Sequence, residues 1–180
     1  MTNLATTEFV ILDTETTGLY PQMGDALVEI GAQRVKGTQV LAQFAQVINP
    51  GIPCKPDAAR IHGMTEEYIG HHGRQLVEVM PKFVAFCQGA TLVGHNIVRF
   101  DMEFINNHLR QLGLPPLLNP VMDTVHIARE KLRLPNYHLR TIAEYYNIEY
   151  SNAHRALRDV EITREVFFRL MGFKKQNTLL

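Results

Sequence analysis

Four acids, Asp13, Glu15, Asp101 and Asp159, fall where the surrounding sequence places apolar side chains, and His154 precedes the last of them. An isolated ionised carboxylate away from water is strongly disfavoured, so acids in such positions are paired, protonated or bound to a cation. The pattern sets no arginine or lysine inward to pair with them, which favours metal. Their all-oxygen chemistry suits hard cations such as Mg²⁺ or Mn²⁺, and neither Cys54 nor Cys87 lies near them to make a zinc site. Two such ions about 4 Å apart can stabilise both the attacking and the leaving oxygen of a phosphoryl displacement. The chemistry expected is hydrolysis of a phosphodiester. Any one of these acids alone reads equally well as an exposed or salt-bridged carboxylate; the set of four points to metal.

Three separate segments must bring these side chains together. The run Phe9-Val10-Ile11-Leu12-Asp13-Thr14-Glu15 reads as a strand, and a period of two puts Phe9, Ile11, Asp13 and Glu15 on one face. Asp101 opens a helical pattern to about Leu112, sharing a face with Phe104, Ile105 and Leu112. A third pattern, from about Ala156 to Met171, has an apolar stripe through Ala156, Val160, Phe167 and Leu170, with Asp159 inside its width. Within one helix His154 and Asp159 would lie about 140° apart. Asn152 as N-cap would instead set His154 at the helix entrance, where the backbone can aim it at the site. An imidazole there can take a proton from an attacking water.

The remaining elements form a coarse frame. Strands around Phe9 to Glu15, Leu27 to Val35 and Gln39 to Ile48 follow closely with turn residues such as Gly37, suggesting an antiparallel meander. A loop rich in Gly and Pro, from Asn49 to Arg60, leads into helical sequence from about Arg74 to Cys87, where Pro81 predicts a kink or break. A strand at Thr91 to Gly94, a short strand near Val121 and helices near Leu139 and Asp159 complete a mixed α/β pattern.

With 180 residues, 46% of them hydrophobic and 20% charged, the chain has the size of one well-packed domain. Its formal net charge of zero gives no global basic field. Local positive charge lies in Arg129, Lys131, Arg133, Arg140, Arg155 and Arg158, readable as a rim tracking a nucleic-acid backbone or as solvated helix faces. Two cysteines without metal or disulfide spacing fit a reduced compartment, and no run of about twenty apolar residues marks a membrane span. The expectation is a cytoplasmic enzyme with no membrane partner.

Asp13-Thr14-Glu15-Thr16-Thr17-Gly18, Val93-Gly94-His95-Asn96 leading to Phe100-Asp101, and His154-Arg155-Ala156-Leu157-Arg158-Asp159 resemble the three motifs of the DEDDh exonuclease superfamily. Ile61-His62-Gly63-Met64-Thr65, and Asp123-Thr124 followed by Ile127-Ala128-Arg129, resemble further segments of the branch containing the proofreading epsilon subunit of bacterial replicative DNA polymerase. The resemblance runs from about Glu8 to Leu170.

It implies an RNase H-like fold, a mixed five-stranded sheet flanked by helices, in a single exonuclease domain over residues 1–173 with a tail at 174–180. It also implies two divalent ions, Mg²⁺ or Mn²⁺. Asp13, Glu15 and Asp159 would hold the ion that activates water, Asp13 would bridge to the second ion with help from Asp101, and His154 would be the general base. Thr16, Gly18, Leu19, His62, Asn96 and Phe100 are the implied substrate contacts, with Gly18 allowing close backbone approach and Phe100 also readable as core. The activity implied is 3′-to-5′ hydrolysis at single-stranded or mismatched DNA 3′ ends, releasing 5′-mononucleotides in proofreading or repair. RNA 3′-end trimming is the alternative substrate reading. An accessory replication role is the other, since Gln176-Asn177-Thr178-Leu179-Leu180 resembles a sliding-clamp peptide, although a frayed polar tail is the commoner reading of such a segment.

Overall fold

The computed structural model describes residues 4, 6–151 and 154–173. Its organising element is β1 (Glu8–Thr16), whose two faces are both covered. Phe9 and Ile11 pack on one layer with Val160, Phe167 and Phe168, while Val10 and Leu12 pack on the other with Val79, Met80, Phe83, Phe104 and Ile105. A strand buried on both faces needs neighbours on both edges to pair its backbone. β2 (Leu27–Lys36) takes one edge antiparallel, and β3 (Gln39–Val47) pairs antiparallel with β2.

The chain then forms three helices, α1 (Pro56–His62), α2 (Glu66–His72) and α3 (Leu76–Cys87). α1 lies within and just beyond the stretch expected as loop. Pro56 fits there because the first helical position has a spare N–H, and Gly63, at φ 67°, ends the helix in the left-handed region. In α2 the Thr65 hydroxyl accepts from the Tyr68 N–H. α3 runs unbroken through Pro81, so of the expected kink or break the break does not occur. The carbonyl deprived of its partner belongs to Val77, which is 61% exposed, where water can replace the missing donor.

β4 (Thr91–Gly94) pairs parallel with the other edge of β1, and α4 (Asp101–Gln111) follows it. β5 (Val121–Asp123) pairs parallel with β4, giving the order β3-β2-β1-β4-β5. α5 (Thr124–Lys131), which the sequence reading did not place, α6 (Leu139–Tyr145) and α7 (Ala156–Met171) pack together through Ala128, Ile142, Ile162, Val166 and Leu170. α7 crosses β1 and β2, with Phe9 meeting Phe167 edge-on at 5.2 Å. Among the described residues no helix is long and apolar enough to cross a membrane. Asn152 and the Gln176–Leu180 segment lie outside the described residues.

Candidate active site

The parallel strands β1, β4 and β5 end on one side of the sheet, and open sheets hold their ligands at such carboxyl ends. Asp13 and Glu15, near the end of β1, lie on its α7 side. Thr14 projects to the opposite side, and its hydroxyl donates to Asp101 Oδ1 at 2.8 Å. The acids therefore arrive from both layers and meet at the strand end. Asp101 is 2% exposed and Asp159 is 6% exposed.

One ligand oxygen from each of Asp13, Glu15 and Asp159 falls within a common 4.8 Å, close enough to hold one cation. Asp101 is outside that trio, yet its charge is the strongest of the neighbouring charges acting on Asp13. Burial, followed by the charges of Asp101, Asp159 and Glu15, holds the Asp13 carboxyl well above the usual carboxylate range. Glu15 is pushed up to about 8 by burial and then by Asp159, Glu29 and Asp101. Burial raises Asp101 to about 7, against the opposing hydrogen bond from Thr14. Asp159 is also raised by burial, and its Oδ1 is buried with no hydrogen-bond partner among the described residues. The donor set and that unpartnered oxygen fit a hard divalent cation: all four acids are oxygen donors, and a cation would replace the protons that crowding otherwise forces onto them.

His154 stands at the rim with an exposed side chain and a left-handed backbone at φ 71°. Its N–H donates to Asp159 Oδ2 at 2.7 Å, so the turn that presents the imidazole also orients a carboxylate. The N-cap of α7 is Arg155 rather than Asn152, because the first turn is capped from another strand. Glu29 on β2 accepts from the Ala156 N–H at 2.9 Å and from two guanidinium nitrogens of Arg155 at 2.9 and 3.3 Å. Arg155 also lies 5.5 Å over the Tyr68 ring. Gly31 allows β2 to approach closely, since a Cβ there would sit 2.5 Å from Ala156 C and Leu157 N. Sequence reasoning missed Glu29, although an acid inside Leu27-Val28-Glu29-Ile30 breaks an apolar run in the same way as the four it did find.

These acids open into a cleft of about 870 Å³ lined also by His154, His95, Asn96, Phe100, Arg129, Tyr137, Arg140 and Tyr150. Of the expected substrate contacts, Asn96 and Phe100 line it. Phe100 is half-buried and meets Phe104 at 5.1 Å, so it serves core and cleft together. Thr16 is buried and donates to the Gly18 carbonyl at 2.6 Å. Gly18 is required by Asp25 rather than by a visible ligand space, because a Cβ would lie 2.4 Å from its carboxylate. Leu19 is 63% exposed and is not among the cleft-lining residues. His62 is buried, and its Nδ1 accepts from the Met64 N–H at 3.1 Å, so it too lies off the cleft wall. His95, which the sequence reading quoted without a role, hydrogen-bonds Thr124 Oγ1 at 2.9 Å. Burial pushes its imidazole down to about 4 and keeps it neutral.

A mixed five-stranded sheet that gathers acids from three segments at its strand ends, with a histidine at the rim, is the architecture of a DEDDh-type exonuclease. The exonuclease family model (RNase_T) matches residues 10–167, and the chain belongs to that family. Divalent-metal dependence goes with it. The PolC-type DNA polymerase III of Caldanaerobacter subterraneus subsp. tengcongensis is 36% identical over 165 residues, covering 91% of this chain and 12% of that protein. That of Thermotoga maritima is 33% identical over 168 residues, covering 93% and 12%. The chain thus spans only about an eighth of the length of these relatives. Among solved structures, an exonuclease I superposes with a TM-score of 0.83 at 24% identity, over 94% of this chain and 42% of that one. The E. coli exonuclease I complex with a dA16 oligonucleotide gives 0.84 at 23%, over 94% and 42%. At these identities the likeness is one of fold.

Proposed function

We propose that the chain removes nucleotides from DNA 3′ ends, single-stranded or mismatched, releasing 5′-mononucleotides with Mg²⁺ or Mn²⁺ as the ion. The observation that carries this reading is the convergence of Asp13, Glu15 and Asp159 within 4.8 Å beside Asp101 and below His154. Asp13, Glu15 and Asp159 would hold one ion, and Asp13 with Asp101 would hold a second. Bound there, the ions would supply charge stabilisation to the phosphoryl oxygens. His154, exposed at the cleft rim, takes the proton of the attacking water, and its backbone N–H fixes the orientation of Asp159 through Oδ2. Asn96 and Phe100 border the terminal nucleotide. The bond broken is that between phosphorus and the 3′-oxygen of the penultimate residue.

DNA as substrate, and work beside a polymerase in proofreading, are supported by the PolC-type relatives and by the exonuclease I held on a deoxyoligonucleotide. A time course on 5′-labelled single-stranded DNA and matched RNA, with each ion and with Asp13→Ala as control, tests the reading. A metal-dependent ladder shortening from the 3′ end, faster on DNA and absent in the variant, is expected. Faster loss of RNA would move the substrate to 3′-end trimming. No ladder on either polymer would favour an accessory role, and the Gln176–Leu180 segment would then be deleted and titrated against a sliding clamp.

A further inference from the structure

Two divalent ions would do no more than balance the four carboxylates, so the centre leaves the phosphates further along a polyanionic strand without a counter-charge. Cations elsewhere must anchor the strand. A second groove, of about 340 Å³, opens beside the cleft and shares Asn96, Val125 and Arg129 with it. Its remaining lining is Val98, Arg99, Val121, Asp123 and His126.

The charges of this groove do not cancel. Asp123 is the one carboxylate among the lining residues against two arginines, and its Oδ1 accepts from the Asn96 N–H at 3.0 Å and the Val125 N–H at 2.9 Å. Arg99 is exposed, with no hydrogen bond or ion pair from its side chain among the described residues. Arg129 has no carboxylate partner there either, and its guanidinium lies 5.5 Å over the Tyr137 ring, which steadies it at the junction of groove and cleft. His126 is paired, 3.4 Å from Glu130 one turn along α5. A groove of similar size formed around Arg158, Arg164 and Arg169 is different, because Arg158 and Arg164 pair there with Glu161 and Glu165. Beside the two arginines, Val98, Val121 and Val125 add apolar lining to the groove. Two guanidinium groups among apolar side chains suit a sugar-phosphate chain.

Resting on the proposed action at a 3′ end, we infer that this groove binds the same single strand on the 5′ side of the scissile phosphate, with Arg99 and Arg129 each meeting a backbone phosphate. The terminal nucleotide fills the cleft, and the strand leaves it past Asn96. Recognition is of the phosphate backbone and carries no base sequence.

Steady-state kinetics on deoxyoligonucleotides from dimer to decamer, with wild type, Arg99→Ala and Arg99→Ala/Arg129→Ala, test this, with melting curves as a check on folding. Wild-type KM is expected to fall with length until the groove is filled, and Arg99→Ala to raise the long-substrate KM roughly tenfold, the scale of one charge-assisted hydrogen bond. Each arginine removed should also reduce the slope of log KM against log salt by about 0.7. Wild-type KM independent of length, or variants with unchanged KM and salt slope on long strands, would overturn the strand path while leaving the exonuclease reading intact. An effect confined to duplexes with a recessed end would also overturn it, by assigning the groove to the complementary strand. Absence of cleavage in wild type would remove both readings.

Discussion

Asp13 is the residue on which the other charges converge, and the consequences of removing it differ for folding and for turnover. Burial and four neighbouring acids disfavour its ionised form, so Asp13→Ala relieves repulsion in the metal-free protein while deleting the proposed shared ligand. Turnover is expected to fall to background and the metal-free melting temperature to hold or rise; a variant that melts well below wild type would show the acid to be structural. His154 differs because its side chain is exposed and its N–H, which orients Asp159, survives truncation. His154→Ala should therefore bind Mn²⁺ normally in a calorimetric titration and lose roughly 10²- to 10⁴-fold in rate. A near-wild-type rate across neutral pH would refute the proton-transfer role.

At the scale of elements, α7 is the part whose position matters most, because it carries Asp159 and follows directly on His154. Its start is fixed by β2, through Glu29 and the close approach at Gly31. Arg155→Ala would leave a buried carboxylate with one donor in place of three, at a cost of about 1–3 kcal/mol. It should lower kcat more than KM, and Arg155→Lys should restore little, since an ammonium lacks the planar fork. Gly31→Ala would press a methyl onto helix backbone, and urea unfolding should show a loss of about 1–3 kcal/mol. Unchanged stability would mean that α7 can slide at no cost. This dependence also explains what could be read from sequence. β1, α4 and α7 were legible because the period of apolar residues within each is set locally, and the acids stood out against it. Glu29 carried the same local signal and was passed over, but its role and that of Thr14 were not legible, because their partners, Arg155 and Asp101, are distant in sequence. α1 escaped because Pro56 was read as loop punctuation, when at a first helical position it costs nothing. His62 looked like a ligand contact from its motif, and only the fold shows it turned inward.

For the whole molecule, the site makes stability depend jointly on pH and metal. Unfolded, Glu15 loses its proton near 4.5; folded without metal, it keeps it to about 8. Between those values the folded state holds more protons than the unfolded state, so stability falls as pH rises. Asp101, raised from 3.8 to about 7, adds the same sign over its own interval. A divalent cation binds only the deprotonated set, so its stabilisation must grow through the window in which the metal-free protein weakens. Melting curves between about pH 5 and pH 8, with chelator and with excess Mg²⁺, measure both effects. The chelated protein should melt progressively lower toward pH 8. At a free ion concentration a hundred times its dissociation constant the gain is about 2.7 kcal/mol, or about 5 to 10 °C for a chain of this size. At the acid end protons already occupy the oxygens and the two curves should converge. Parallel curves across the range would mean that the carboxylates ionise as freely in the folded chain as in water, and the crowding that points to metal would then be absent.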